Sequence, residues 1–251
     1  NFLGSNALAA VSSSGNLIFL MVGFINGIAM GAGVVIARYY GAKKRVCLQK
    51  AIHTTVAFGL VAGAGLTVLG MFLAPKILVL MGTPAFVVPM FDAIYNAGHE
   101  IMAVFTRGPK PVGRKQVLTK SPVHVWAESK NIPVYNRASE YNFSPDMVVV
   151  VSYGVILRDN VLSSAPCINI HPSELPKYRG ASPIKTAIYN GDAHSAVCLM
   201  QITAEMDAGD VYMRRAFDIG DNDTNDDIEN RVSEIGTEML IEYLSNPAAY
   251  A

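Results

Sequence analysis

The first 91 residues of this 251-residue chain contain neither aspartate nor glutamate; the first acid is Asp92. Soluble surfaces mix charges of both signs, so an acid-free stretch of this length argues for a front from another environment, with two buried helices of a soluble protein as the alternative. Six basic side chains (Arg38, Lys43, Lys44, Arg45, Lys50 and Lys76) lie in that stretch, and the remainder carries fourteen basic against twenty acidic ones. The zero net charge is therefore a +6 front cancelling a −6 back, a pattern expected of two parts from different environments. Cysteine is scarce as well. Cys47, Cys167 and Cys198 are far apart, form no C-x-x-C pair and adjoin no histidine cluster. Neither a disulfide framework nor a zinc site is therefore expected, no metal is expected, and three inert thiols fit a reducing compartment. No G-x-G-x-x-G follows the first apolar strand, which removes a dinucleotide-binding loop. A cleaved leader is not supported, because the first apolar run is too long and lacks a basic start.

What the front does contain is two long uncharged runs. Asn16 to Ala37 (NLIFLMVGFINGIAMGAGVVIA) and Thr54 to Pro75 (TTVAFGLVAGAGLTVLGMFLAP) each match the roughly 20 helical residues that cross a bilayer. Both are rich in Gly and Ala, which let membrane helices approach closely. Between them RYYGAKKRVCLQK holds five basic residues and no acid, placing that turn on the cytoplasmic side. The expectation is an all-α transmembrane-type hairpin over residues 1–75, with membrane association through residues 16–75. Asn16, Asn26 and His53 interrupt the runs and are read as structural or interfacial.

From Lys76 the pattern changes. KILVLMGTP (Lys76 to Pro84) is a short apolar strand ended by a turn, and Val87, Met90, Phe91 and Ile94 then recur at helical spacing up to Gly98, a natural helix stop. Apolar strands follow at Ile101 to Phe105, Met147 to Val151 and Cys167 to Ile170, with an alternating segment at Val197 to Ile202. A last helix opens at Thr224 with Asp227 three residues on and has Ile228, Val232, Ile235 and Met239 on one face. Strands separated by crossover segments predict an α/β, Rossmann-like domain over residues 76–251 with a mostly parallel sheet. The stretch NRASEYNFSP is too short for a crossover helix, so one sheet face is expected to lie open there.

Two segments hold side chains suited to chemistry. Asn169 and His171 sit two apart at a strand end, so they project to the same side. MDAGD, 36 residues after His171, contributes Asp207. An amide donor and an imidazole can converge on one oxygen, while a nearby carboxylate favours the protonated imidazole, fixes its tautomer or holds a water. Taken alone, an Asn-x-His at a strand end is equally a loop-capping pair, and an Asp before Gly is equally a turn former.

Five segments in fixed order, MGTPAFVVP, RGPKPVGRKQVLTKSPV, VVVSYGVIL, NIHPSELPKYRG and MDAGD, resemble the catalytic domain of the folate-dependent formyltransferases. The MGTP opening and the basic GRK loop are most similar to the members that act on methionyl-tRNA. The resemblance implies transfer of a formyl group from 10-formyltetrahydrofolate to the amino group of initiator methionyl-tRNA, a cytoplasmic step of translation initiation. It implies Asn169, His171 and Asp207 as the catalytic set. Ser152, Tyr153, Gly154, Val155, Ile156 and Leu157, with Ser173, would hold the folate. Arg107, Lys110, Arg114, Lys115 and Lys120 would meet tRNA phosphates, and Tyr178 and Arg179 would shape the amine side. Glu174 stands where many members have Leu. Full-length tRNA-acting members add a C-terminal β-barrel, which is not expected within these residues, so unaided tRNA docking is expected to be weak.

Residues 1 to about 84 resemble the early helices of multidrug and toxin extrusion (MATE) transporters. Such transporters enclose their pathway with about a dozen helices, which a hairpin cannot do. A transporter fragment with an inert tail and a formyltransferase for a small amine such as an amino sugar are the rival readings. With a cytoplasmic basic turn the second span would lead the enzyme part out of the cytoplasm, so a chimera joined within LMGTP is the expectation.

Overall fold

The computed structural model describes the backbone of residues 5–73 and 75–250 and, within the two long N-terminal helices, the side chains of residues 22–68. It divides into two compact units, Asn1–Ala74 and Pro75–Ala251.

The first unit is a helical hairpin, α1 (Ser5–Gly41) and α2 (Arg45–Leu73). At 1.5 Å per residue, α1 is about 55 Å long, more than a bilayer core needs. Its end is closed by a Schellman pair: the Lys44 amide donates to the Tyr39 carbonyl at 3.1 Å and the Lys43 amide to Tyr40 at 3.0 Å. Lys43 takes the left-handed φ of 54° that this closure requires. The apolar windows Val22–Gly41 and Arg45–Val68 have none of their length buried, and Phe24, Met30, Leu60 and Val61 are each more than two-thirds exposed. Asn26 and His53 also face outward. The side chain of Asn16 and residue 74, which belong to the expected spans, lie outside the described residues.

The second unit carries a seven-stranded sheet and a two-stranded ribbon among its described residues. Its elements in chain order are β1 (Ile77–Gly82), α3 (Val88–Asn96), β2 (Glu100–Phe105), β3 (Lys110–Val112), β4 (Val117–Thr119), α4 (Pro122–Ser129), β5 (Val134–Tyr135) and β6 (Met147–Val151). They continue with α5 (Asp159–Leu162), β7 (Cys167–His171), α6 (Pro183–Tyr189), β8 (His194–Gln201), β9 (Val211–Asp218) and α7 (Asn225–Ser245). The sheet order is β5-β2-β1-β6-β7-β8-β9, parallel through β7 and antiparallel for β8 and β9. This is the expected Rossmann-like, mostly parallel α/β architecture.

Alternate residues of the strands build two cores. On one face Leu78, Leu80, Val149, Ile168 and Ile170 meet Met90, Phe91 and Ile94 of α3 and Ile228, Val232 and Met239 of α7, the positions read from helical spacing. Gly98 stops α3 with φ 87°, and the Thr224–Asp227 capping box opens α7. On the other face lie Val79, Met81, Val148 and Val150. The short NRASEYNFSP stretch forms only a 3₁₀ turn at Ala138–Glu140, yet it does not leave that face open. Tyr135, Tyr141 and Phe143 gather around Phe105 with ring centroids 5.1–5.9 Å away. Bulky rings thus cover the sheet where a crossover helix was missing, which corrects the expected exposure.

Candidate active site

In an open α/β sheet the carboxyl ends of the parallel strands are where loops diverge and leave a crevice. Here β2 and β6 flank β1 on opposite sides, and the turns after β1, β2, β6 and β7 meet at that end. Thr83, after β1, donates its hydroxyl to the Tyr153 carbonyl at 3.2 Å. Arg107, after β2, donates to the Gly154 carbonyl. The Ser152–Leu157 loop after β6 is thereby pinned from two neighbouring strands. Ser152 and Gly154 adopt left-handed φ of 47° and 72°. Tyr153 is buried, and loss of water pushes its hydroxyl above the ordinary tyrosine range. Val155 and Ile156 remain exposed, Ile156 by 75%.

Asn169 and His171 project from the same face of β7, beside Met200 and Cys198 of β8. His171 is buried, while Asn169 is half-buried and its amide makes no side-chain hydrogen bond among the described residues. The chain after β8 returns across that face. Ile202 pairs with Cys167 at the start of β7, and five residues later Asp207 reaches the other end of the strand, about 13 Å away. Its Oδ2 accepts from the Gly180 amide at 2.7 Å and lies 3.7 Å from His171 Nδ1. The other imidazole nitrogen, Nε2, donates to the Tyr178 carbonyl at 3.0 Å. The structure therefore brings His171 and Asp207 together and sets Asn169 on the same face of β7 as His171.

The loop that holds His171 is itself braced. Ser173 donates to the Lys177 carbonyl at 2.6 Å, Lys177 pairs with Asp192 at 2.8 Å, and Asn190 donates to the Tyr178 hydroxyl at 2.8 Å. The Lys177 hydrogen bond holds the Asp192 carboxyl below the usual carboxylate range, and Asp192 in turn raises Lys177. Arg214 donates to the Leu175 carbonyl at 2.7 Å and sits 3.9 Å from Glu174. Tyr178 and Asp207 carry left-handed φ of 58° and 48°. Such strained backbone persists only where surroundings enforce it, and it clusters at ligand sites.

The remaining sequence candidates divide. Ser173 is fully buried and committed to its loop contact, so it faces no ligand space. Arg107 is tied to the Gly154 loop rather than left open for phosphates. Lys120 is engaged by both Glu128 oxygens, at 2.6 and 2.7 Å. Lys110, Arg114 and Lys115 lie on the exposed β3–β4 ribbon and its turn, with no ion pair among the described residues. Arg179 is 3.9 Å from Glu205. Thr83, Gly180, Asn190 and Arg214 were not singled out from sequence, because each acts through a contact made across the fold. A broad groove of about 610 Å³ between α3 and α4, lined by Val88, Pro122, Val125 and Trp126, contains none of the trio. No His/Cys/Asp/Glu group suited to a metal occurs among the described residues.

An amide donor, an imidazole with one fixed proton and a carboxylate beside its second nitrogen equip a crevice for acyl-group transfer. Residues 75–244 match the formyl transferase family model, and the chain belongs to the formyltransferase family. Residues 1–96 match the MatE family model, so the two matches overlap at 75–96. Methionyl-tRNA formyltransferase of Anaplasma phagocytophilum (strain HZ) is 41% identical over 180 residues, and that of Ehrlichia chaffeensis 42% over 182, each alignment covering 67% of this chain. The chain spans about 60% of the length of these curated relatives. The crystal structure of phosphoribosylglycinamide formyltransferase from Bacillus halodurans superposes with TM-score 0.56 at 18% identity, covering 68% of this chain and 94% of that one. That of WlaRD, a sugar 3N-formyl transferase studied with dTDP and 5-N-formyl-THF, gives 0.56 at 25% identity, covering 69% and 64%.

Proposed function

We propose that the second unit transfers a formyl group from 10-formyltetrahydrofolate to the amino group of methionyl-tRNA. The observation that carries this reading is His171, held between the Tyr178 carbonyl and Asp207 with the Asn169 amide on the same strand face. Formyl transfer needs amine attack on a carbonyl, a stabilised tetrahedral oxyanion, and a proton moved from the attacking to the leaving nitrogen. Asn169 donates to the developing oxyanion. His171, with Asp207 beside it, takes the proton from the amine and returns it to the folate nitrogen as the carbon–nitrogen bond breaks. The pinned Ser152–Leu157 loop suits a flat heterocycle: its backbone groups can read a ring edge, and exposed Ile156 can cover a ring face. Lys110, Arg114 and Lys115, which make no ion pair among the described residues, offer cations to acceptor phosphates. The names of the sequence relatives favour methionyl-tRNA over a small amine.

Folate release and formyl incorporation, measured with methionyl-tRNA and with amino-sugar acceptors, test the assignment. Transfer to methionyl-tRNA that is lost in His171→Ala is the expected result; transfer only to the sugar, or none at all, overturns it.

The first unit is read as a membrane hairpin, on the strength of its two uncovered apolar helices. With the basic turn in the cytoplasm, α2 leads away from the compartment that holds folate and tRNA, so hairpin and enzyme point to different origins. A junction within Leu80–Pro84, inside the overlap of the two family matches, accounts for both. An uninterrupted coding sequence across residues 70–90 in the native source would refute the junction.

A further inference from the structure

We infer that the α1–α2 turn binds the headgroup of an anionic phospholipid, whose acyl chain lies in the crevice between the two helices. This rests on the membrane reading of the hairpin and adds the lipid class. Arg38, Lys43, Lys44, Arg45 and Lys50 fall within thirteen residues, and all are exposed. None is ion-paired among the described residues, and the acid-free first 91 residues offer no local competitor. The Schellman closure sets Lys43 and Lys44 on the connection between the helices, with Arg38 in the last turn of α1 and Arg45 and Lys50 in the first turns of α2.

Below the turn a crevice of about 410 Å³, open to its surroundings, runs between the two helices. Its upper walls are Tyr39, Cys47 and Lys50, and its lower walls include Gly31, Ala32 and Val35. Lys50 lies five residues into α2, about 7.5 Å from the turn, the depth at which an ammonium reaches up to a phosphate while its stem stays in hydrocarbon. From Tyr39 to Gly31 is about 12 Å along α1, and the small residues at the lower end leave room for a chain. Thr55 does not compete for a headgroup, since its hydroxyl is spent on the Ala51 carbonyl at 2.8 Å. A soluble polyanion would satisfy the cations but gain nothing from the apolar lower crevice or the bare helix faces. A phospholipid satisfies all three.

The test uses the full chain with vesicles of phosphatidylcholine alone or containing phosphatidylglycerol, read by flotation and by maleimide labelling. Cys167 and Cys198 are buried, so the native label reports Cys47 in the crevice wall. Each basic residue near an anionic surface is worth about fivefold in affinity. The triple variant Lys43→Gln, Lys44→Gln, Arg45→Gln should therefore lose its preference for phosphatidylglycerol by on the order of 100-fold. Phosphatidylglycerol should also slow Cys47 labelling severalfold, and Lys50→Gln should relieve that protection. Equal partition into both vesicles, unchanged in the triple variant, overturns the lipid site while leaving the hairpin in the membrane. No flotation with either vesicle fells the membrane reading and this inference together. An RNA oligonucleotide held by the wild type and released by the triple variant, without lipid selectivity, reassigns the turn and overturns it as well.

Discussion

His171 directs Nε2 at the Tyr178 carbonyl, 3.0 Å away, and so turns Nδ1 toward the Asp207 carboxylate at 3.7 Å. A carbonyl only accepts, so Nε2 bears the proton. At 3.7 Å, Nδ1 and Oδ2 are just beyond a direct hydrogen bond and close enough for the carboxylate charge to act on the ring. Asp207→Asn keeps an oxygen for the Gly180 amide but removes the charge facing Nδ1. Its melting temperature should stay near that of the wild type while kcat falls on the order of 10²- to 10⁴-fold, the usual worth of a proton-transfer group. Steady-state formylation together with a thermal melt reads both quantities; activity within tenfold of wild type would remove Asp207 from the proton path.

The Tyr178 carbonyl can hold His171 only while Tyr178 keeps its left-handed φ of 58°, and two contacts hold its side chain: the Asn190 amide on its hydroxyl and Lys177 Nζ, 4.8 Å from its ring centroid. Asn190→Ala and Tyr178→Phe delete the same hydrogen bond from opposite sides. Each should lower kcat about tenfold with little change in donor KM, and the double variant should be no worse than either single one, since the pair shares one interaction. Additive losses would show that the two residues act separately.

Arg107 offers a test of the proposed folate loop. Its guanidinium engages the Gly154 carbonyl, so Arg107→Gln should loosen the Ser152–Leu157 loop. The KM for the folate donor should rise by roughly one hydrogen bond to a charged group, about 10-fold, with the acceptor KM unchanged. A rise confined to the acceptor would return Arg107 to the phosphate-binding group in which sequence alone had placed it.

Gly82 ends β1 where the strand passes under α3. A Cβ there would meet Val87 Cγ1 at 2.8 Å, the Val151 carbonyl oxygen at 2.9 Å and Phe91 Cε2 at 3.0 Å. Two of these are close-packed side chains and one is backbone, so none can yield cheaply. Gly82→Ala should cost about 1–3 kcal/mol, the range for an overpacked core, measurable by urea unfolding. A neutral result would mean that β1 and α3 can separate without penalty.

Much of this is legible in the sequence because it is local. The Val87, Met90, Phe91 and Ile94 spacing, the Thr224–Asp227 cap and the Asn-x-His alternation each depend on residues within one turn or one strand. Contacts between distant segments could not be read this way. Nothing near Arg107 announces that Gly154 will lie against it, and nothing near Lys120 places it on Glu128, eight residues on and near the far end of α4. The aromatic cover on the second sheet face was missed for the same reason, since Phe105, Tyr135, Tyr141 and Phe143 come from three separate segments. Left-handed backbone at Ser152 and Tyr178 carries no sequence signature, because neither is glycine, asparagine or aspartate, whereas Asp207 at least belongs to a residue type that tolerates it.

Asp92 offers a pH readout independent of activity. Its carboxylate accepts from the Trp126 indole at 2.9 Å and pairs with Lys130 at 2.9 Å. These contacts, the indole first, hold it below its ordinary range near pH 4. A depressed carboxyl stabilises the fold fully above its unfolded pKa and loses that contribution as pH falls through the lower folded value. Trp126 is the chain's single tryptophan, so its fluorescence reports the event directly. Emission should shift in a step below about pH 4, before the far-ultraviolet dichroism of the whole domain collapses. Asp92→Asn keeps an acceptor for the indole but has nothing to titrate, and the early step should vanish. If that variant retains the step, another carboxyl governs Trp126 and the Asp92 assignment fails.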